Sequence, residues 1–361
     1  MTQNSDNQNL TTELIKRLSQ SVGVTGYSGD NNVQDVVAAE LTPYVDRVEQ
    51  DKMGSVIGIK KGEQTVSGDQ PRRKIMLAAH LDEIGGIVTK IDKGFLRFSQ
   101  VGGLDNRVLM GQEVTVHAQR DLPGVIGSIP PHLLPAGKAN DKVDRDEMHI
   151  DVGLPPNQVK QLVQIGNLVS FVTVPQEMQN GILYGKTIDN RASIAAMIGC
   201  LQELQKLRHQ WDVFAVATAD EEWGGYVGAT TQTYAIRPDV AIVLDVTFAD
   251  VDEIEVKMDK GPVIGLGPSN HRVVRQRLVD ICKELELKYQ SEIMPSGAGT
   301  DAAAVEVSRE GVPTVLISVP NRYMHTPVET VQPKDVDRTA RLLAQFIAGL
   351  DEAFINELIP V

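Results

Sequence analysis

Only two cysteines, Cys200 and Cys282, occur in 361 residues. That is too few for a disulfide framework, and both fall in stretches of helical spacing, so buried free thiols in a reducing compartment are expected. Aromatic residues are scarce at 4%. Positive charge is short as well: 35 Lys and Arg face 48 Asp and Glu, a formal net charge of −13. Such a surface repels phosphate backbones and anionic lipid, which argues against nucleic acid or a membrane as partner. No apolar run approaches the roughly 18 residues of a membrane span. The Asn/Gln-rich start, Met1 to Leu10, has no basic region followed by an apolar one, so it reads as a disordered, frayed tail (1–10) and not as a secretory signal. A cytoplasmic protein is the expectation.

What the chain does have is 42% hydrophobic and 23% charged residues, the balance of a globular α/β protein. Thr11 to Gln20 and Val33 to Leu41 carry helical spacing, Ser55 to Lys60 alternates as a strand, and Lys74 to Ala79 is an apolar run suited to a central strand. From about Gly85 to Val174 the texture changes to short strands (Gly86 to Ile91, Phe95 to Val101, Val114 to Ala118, Val125 to Ile129, Leu168 to Val174) with no long helical period between them. Beyond Gly181 strand and helix alternate again: helices at Arg191 to Leu207, His271 to Glu286, Asp301 to Arg309 and Asp335 to Asn356, strands at Asp212 to Thr218, Val240 to Leu244 and Pro313 to Val319. The pattern predicts an α/β domain from 1–84 and 177–361, interrupted by a β-rich barrel or sandwich at 85–176.

Polar residues able to ligate metal stand directly after the apolar runs. His80 and Asp82 follow the first, Asp220, Glu221 and Glu222 follow Asp212 to Thr218, Asp245 ends Val240 to Leu244, and His325 comes shortly after Pro313 to Val319. Asp189 precedes a helix. In an open α/β sheet these strand ends share one rim, where ligands bind. Imidazole and carboxylate donors suit zinc, cobalt or manganese, whereas the cysteine positions exclude a thiolate site. Two ions about 3.5–4 Å apart can clamp a carbonyl oxygen and activate water. Of the adjacent Glu221 and Glu222, one can coordinate while the other serves as base. Asp82 can accept the second N–H of His80 and fix its tautomer.

Six segments, taken in order, resemble the M42 metallo-aminopeptidases, also known as glutamyl aminopeptidases and sometimes as cellulase-like or endoglucanase proteins. They are Ala79 to Gly85, Lys186 to Arg191, Glu221 to Gly224, Val243 to Val246, Gly299 to Asp301 and Arg322 to Glu329, and the resemblance spans about Thr11 to Ile347. It implies a three-layer α/β/α zinc-exopeptidase domain carrying a β-rich, barrel-like dimerisation domain. It further implies two divalent ions per subunit, zinc or else cobalt or manganese. His80 and Asp245 would hold one, Glu222 and His325 the other, with Asp189 bridging, Glu221 as base and Asp82 orienting His80. Peptide substrates and a dimer-based homo-oligomer reaching a tetrahedral dodecamer are implied too. Two departures fall beside the base: Asp220 stands where the family usually has Gln, and the Gly224 to Ala229 stretch is one residue longer.

Plainer readings compete. His117, His132, His149, His209 and His271 read as structural, Gly299–Thr300–Asp301 equally as a turn and helix cap or as a substrate-contacting loop outside the catalytic set, and Arg72–Arg73–Lys74 as a solvated strand entrance that binds no acid groups. Asp189 could cap the following helix, and Glu221–Glu222 could be a solvated acidic turn. Rival activities are a metal-independent two-carboxylate glycosidase and a related metal-dependent carboxypeptidase or deacylase.

Overall fold

The computed structural model describes residues 2–64, 71–130, 132, 143–252, 254–297 and 299–358. The first part holds α1 (Thr2–Gln20), α2 (Val33–Leu41), β1 (Arg47–Gln50), β2 (Val56–Lys60) and β3 (Lys74–His80). The middle holds β4 (Gly85–Asp92), β5 (Phe95–Val101), β6 (Glu113–His117), β7 (Asp121–Gly127), β8 (His149–Asp151), α3 (Pro156–Leu162) and β9 (Leu168–Phe171). Next come β10 (Gln176–Glu177), β11 (Leu183–Gly185), α4 (Ile188–Glu203), β12 (Asp212–Thr218), α5 (Val227–Ile236) and β13 (Val240–Phe248). The chain closes with β14 (Val263–Leu266), α6 (Arg272–Glu284), β15 (Gln290–Ile293), α7 (Ala302–Glu306), β16 (Thr314–Arg322), β17 (Glu329–Val331), α8 (Pro333–Ala348) and α9 (Glu352–Glu357).

The apolar run of β3 shows how the layers arise. Successive side chains point to opposite faces of a strand. Ile75, Leu77 and Ala79 therefore join one core with residues of α1, α2, α4, α6 and α8, while Met76 and Ala78 join another with residues of α5 and α7. Both faces are covered, so the central strands are almost continuously apolar. Their order is β2, β12, β3, β13, β16. Strand β3 is parallel to β12 and β13, and β13 to β16, which brings their carboxyl ends to one rim.

The middle strands close into a barrel in the order β4, β5, β8, β7, β6, β9. Its interior is filled by Val88, Leu96, Phe98, Val116, Ile126, Ile150 and Phe171, among others, and closure leaves no open sheet edge. The mixed α/β domain with an inserted β-barrel is thus as expected.

Details differ. Helix α1 begins at Thr2, so the segment expected to be a frayed tail is helical; no Gly or Pro interrupts it. The β-rich region does contain a helix, α3, opened by Pro156 at its first position, where proline's fixed φ suits a helix start. Strand β7 starts at Asp121, ahead of the expected Val125, because Leu122, Gly124 and Ile126 alternate inward across Pro123. The closing helix is two helices: Gly349 ends α8, and Asp351 caps α9 by accepting the Phe354 N–H at 3.0 Å. The basic run does bind acid groups. Arg72 pairs with Asp212, and Arg73 with Asp239 and Glu352.

Candidate metal centre

The ends of the central strands set the first donors. Thr218 lies opposite His80 in the β12–β3 register, and Val243 lies opposite Ala78 in the β13–β3 register, which puts Asp245 at the level of His80. By strand alternation His80 and Asp245 continue the faces of Ala78 and Val243. Asp189 arrives from the start of α4, next to a cis Asp189–Asn190 peptide. Glu221 and Glu222 lie just past β12, and His325 in the loop between β16 and β17. Several loop residues here, Thr187, Asp220, Tyr323 and His325, have left-handed φ between 55° and 65°, a conformation that side chains other than glycine rarely take and that gathers at functional sites.

Among the described residues, two donor groups could each hold a cation: His80, Asp189 and Asp245, and Asp189, Glu222 and His325. Asp189 belongs to both. His80 Nε2 lies 3.1 Å from Asp189 Oδ1 and 3.7 Å from Asp245 Oδ1. His325 Nε2 lies 3.5 Å from Asp189 Oδ2 and 3.5 Å from Glu222 Oε2. Glu221 stands outside both groups, its Oε2 3.9 Å from His80 Nε2. Asp82 does more than face His80, whose Nδ1 is 3.6 Å from its Oδ1 and 3.3 Å from its carbonyl oxygen. Its two carboxylate oxygens accept the backbone N–H groups of Glu221 and Glu222, each at 3.0 Å, and the Thr25 hydroxyl at 2.8 Å.

The electrostatics tell whether cations fit. Burial, reinforced by the charges of Asp245, Asp301 and Asp189, pushes the Glu221 carboxyl up to about 8 against the opposing pull of His80. Burial and Asp189 raise Glu222, and burial raises Asp245. Burial acts to lower His80, but Glu221, Asp189, Asp245 and Asp82 outweigh it and raise the imidazole well above its usual range. For Asp189 the hydrogen bonds from His325 and His80 overcome burial and hold the carboxyl below the ordinary range. Buried carboxylates crowded in this way repel one another, and a divalent cation is what offsets that repulsion. The imidazole and carboxylate donors fit divalent metal ions such as zinc, cobalt or manganese.

Residues 54–342 match the family described as M42 glutamyl aminopeptidase. The chain belongs to that family. This M42 protein is a metal-dependent aminopeptidase, a hydrolase of peptide bonds, and the glycosidase reading is not favoured. It is 34% identical to the lysyl aminopeptidase of Pyrococcus furiosus, over 97% of this chain and 98% of that one. Its fold matches the TET aminopeptidase of a marine sediment Thaumarchaeota archaeon with a TM-score of 0.89 and 31% identity, over 97% of this chain and 100% of that one. It also matches the TET1 peptidase of Pyrococcus horikoshii, described as able to assemble into a tetrahedron or a large octahedral shell, with a TM-score of 0.82 and 27% identity, covering 94% and 100% of the two chains.

In this M42 peptidase two features are given no role by sequence reasoning, and a third is given the wrong one. Glu329, 1% exposed, accepts the backbone N–H of Asp189 at 2.7 Å and that of His325 at 2.9 Å. Burial and the neighbouring Asp189 raise its carboxyl. Gly102 and Gly103, just past barrel strand β5, touch the centre. A Cβ on Gly103 would lie 2.6 Å from His325 Nδ1, and one on Gly102, at φ +77°, 3.3 Å from Glu222 Oε2. Asp301 does not cap α7 with its side chain; its carboxylate accepts the Thr218 hydroxyl, and burial pushes it up to about 7. The signals were a Glu four residues after the last histidine and a Gly pair ending a strand.

The remaining histidines stay outside both donor groups. His117 is engaged by Asp121 and Ser170, and His132 is exposed. Asp189 turns its carboxylate to the two imidazoles, and the start of α4 has no side-chain cap.

Proposed function

We propose that this M42 peptidase is a cytoplasmic, dinuclear aminopeptidase that removes single residues from the N-terminus of peptides. The observation that carries this reading is the sharing of Asp189 by two donor triads, with Glu221 beside them and outside both. In this reading His80 and Asp245 hold one ion, Glu222 and His325 the second, and Asp189 bridges them. Zinc suits the donors best, with cobalt or manganese as substitutes. When bound, such a pair polarises the first peptide carbonyl and lowers the pKa of water toward about 7.

The chain's own residues do the rest. Glu221 accepts the attacking water's proton at a carboxylate oxygen and delivers it to the departing nitrogen as the C–N bond breaks. Asp82, by accepting the N–H groups of Glu221 and Glu222, holds base and ligand at a fixed separation while it orients His80. The substrate's free amine is received near the acidic cluster. Asp220, raised by burial and by Asp82 and Asp51, flanks this region and bears on which N-terminal residue is preferred.

The barrel, taken as residues 85–176 of the inserted domain, serves dimerisation and from there a closed homo-oligomer of up to twelve copies. Among the described residues no helix is long and apolar enough to cross a membrane.

Aminoacyl-nitroanilides assayed after chelation and with zinc, cobalt or manganese restored test the function. Activity should vanish with the chelator and return with metal. Full activity without metal, or hydrolysis of N-acetylated peptides in preference to free amines, would overturn it. Light scattering tests the assembly.

A further inference from the structure

The segments that carry Asp189 and His325 are joined by a carboxylate that belongs to neither donor group. Strand β17 pairs with β11 so that Glu329 lies opposite Gly185, and the chain then runs on from Gly185 to Asp189. The same carboxylate closes the loop after β16. One oxygen accepts from His325 at 2.9 Å, four residues back, and the other from Asp189 at 2.7 Å, 140 residues away. The side chain is almost wholly buried, at 1% exposure.

A carboxylate is the side chain suited to this place because both its oxygens only accept, so two N–H donors can be met at once. An amide of the same shape would turn an NH2 toward one of them. Burying a charge in such a place is costly when a neutral side chain could fill the same volume. The two anchored residues supply two of the three donors in the Asp189–Glu222–His325 triad. The third, Glu222, is anchored separately through its backbone N–H by Asp82. In the His80–Asp189–Asp245 triad Glu329 touches only the shared Asp189, and Asp245 is tied by its own bond to the Val246 N–H at 2.8 Å.

We propose that Glu329 is a positioning residue that sets the separation of Asp189 and His325 and so preforms the triad of the more exposed ion site. This rests on the two-ion reading above. Removing such a support weakens metal binding by about 10- to 100-fold. The weakening should fall on one ion of the two, whereas a residue that only stabilised the fold would change both affinities or neither.

The test is a titration of metal-free wild-type protein and of Glu329→Gln with cobalt(II), followed by calorimetry and by visible absorption. Wild type should take up two ions. Glu329→Gln should bind the first with unchanged affinity and the second about 10- to 100-fold more weakly. If Glu329→Gln fails to fold, Glu329→Asp, which keeps the charge but falls one methylene short of spanning both donors, should give the same split. Two ions bound with wild-type affinities in a folded variant would overturn the role of Glu329 alone. A wild-type chain that takes up a single ion would overturn the two-ion reading and this inference with it.

Discussion

The two donor triads share Asp189 yet sit in different surroundings. The His80 imidazole is 2% exposed, at the end of a central strand, whereas the His325 ring is 43% exposed on a loop. The first triad inherits its rigidity from the sheet. The second is assembled from a loop after β12, a loop after β16 and the backing of Gly102 and Gly103 from the barrel. A buried, strand-built site favours tight retention, and a loop-built, open one favours exchange and contact with substrate. One centre thus combines a held position with an accessible one.

Changing the shared residue should have the largest effect. Asp189→Asn is expected to cost both ions and abolish turnover; elemental analysis finding two ions retained would show that neither site depends on the shared Asp189. Glu221→Gln comes next. It should keep both ions and lower kcat by about 10²- to 10⁴-fold, since Glu221 is outside both triads, and a normal kcat would remove it from the role of base.

Exchanging one imidazole at a time separates the two triads. His80→Ala leaves the buried Asp189 and Asp245 without their nearest cationic partner and should lower unfolding free energy by about 3–5 kcal/mol in the metal-free protein. His325→Ala, on the exposed side, should change it by less than about 1 kcal/mol. Urea unfolding of both variants measures the difference, and equal losses would contradict the contrast in burial.

The smallest effect is in pH dependence. Asp301 and Glu221 are pushed up to about 7 and about 8. A carboxyl raised in the folded state contributes stability below its unfolded pKa and loses it as pH rises through the folded value. The metal-free protein should therefore melt at progressively lower temperature as pH climbs from about 4 toward 7 to 8, levelling off beyond, and zinc should flatten the curve. Thermal melts with chelator and with zinc across that interval check this, and a melting temperature rising with pH in chelator would contradict it.

Much of the centre was legible before folding because buried apolar runs are conspicuous, and a charged residue directly after one needs a partner. His80, Asp245 and the Glu221–Glu222 pair stood out on that ground, with six ordered motifs adding the rest. Glu329 gave no such signal. It lies outside any apolar run, and its importance comes from an amide 140 residues away. The Thr218–Asp301 bond was hidden likewise: Asp301 resembled a helix cap locally, but a threonine from a neighbouring strand captured its carboxylate. Helix α3 escaped notice because seven residues are too few for the periodicity to show.

Residue order, read for periodicity and matched to six ordered motifs, was sufficient for the α/β alternation, the β-rich insertion and the identities of the metal-binding candidates, because hydrophobic periodicity, strand-end polarity and short motifs are local properties of a chain. Which carboxylates share two neighbours, which glycines press on an imidazole and how far each donor lies from water arise from segments distant along the chain meeting in space. Those depend on packing and strand register, and no local pattern encodes them.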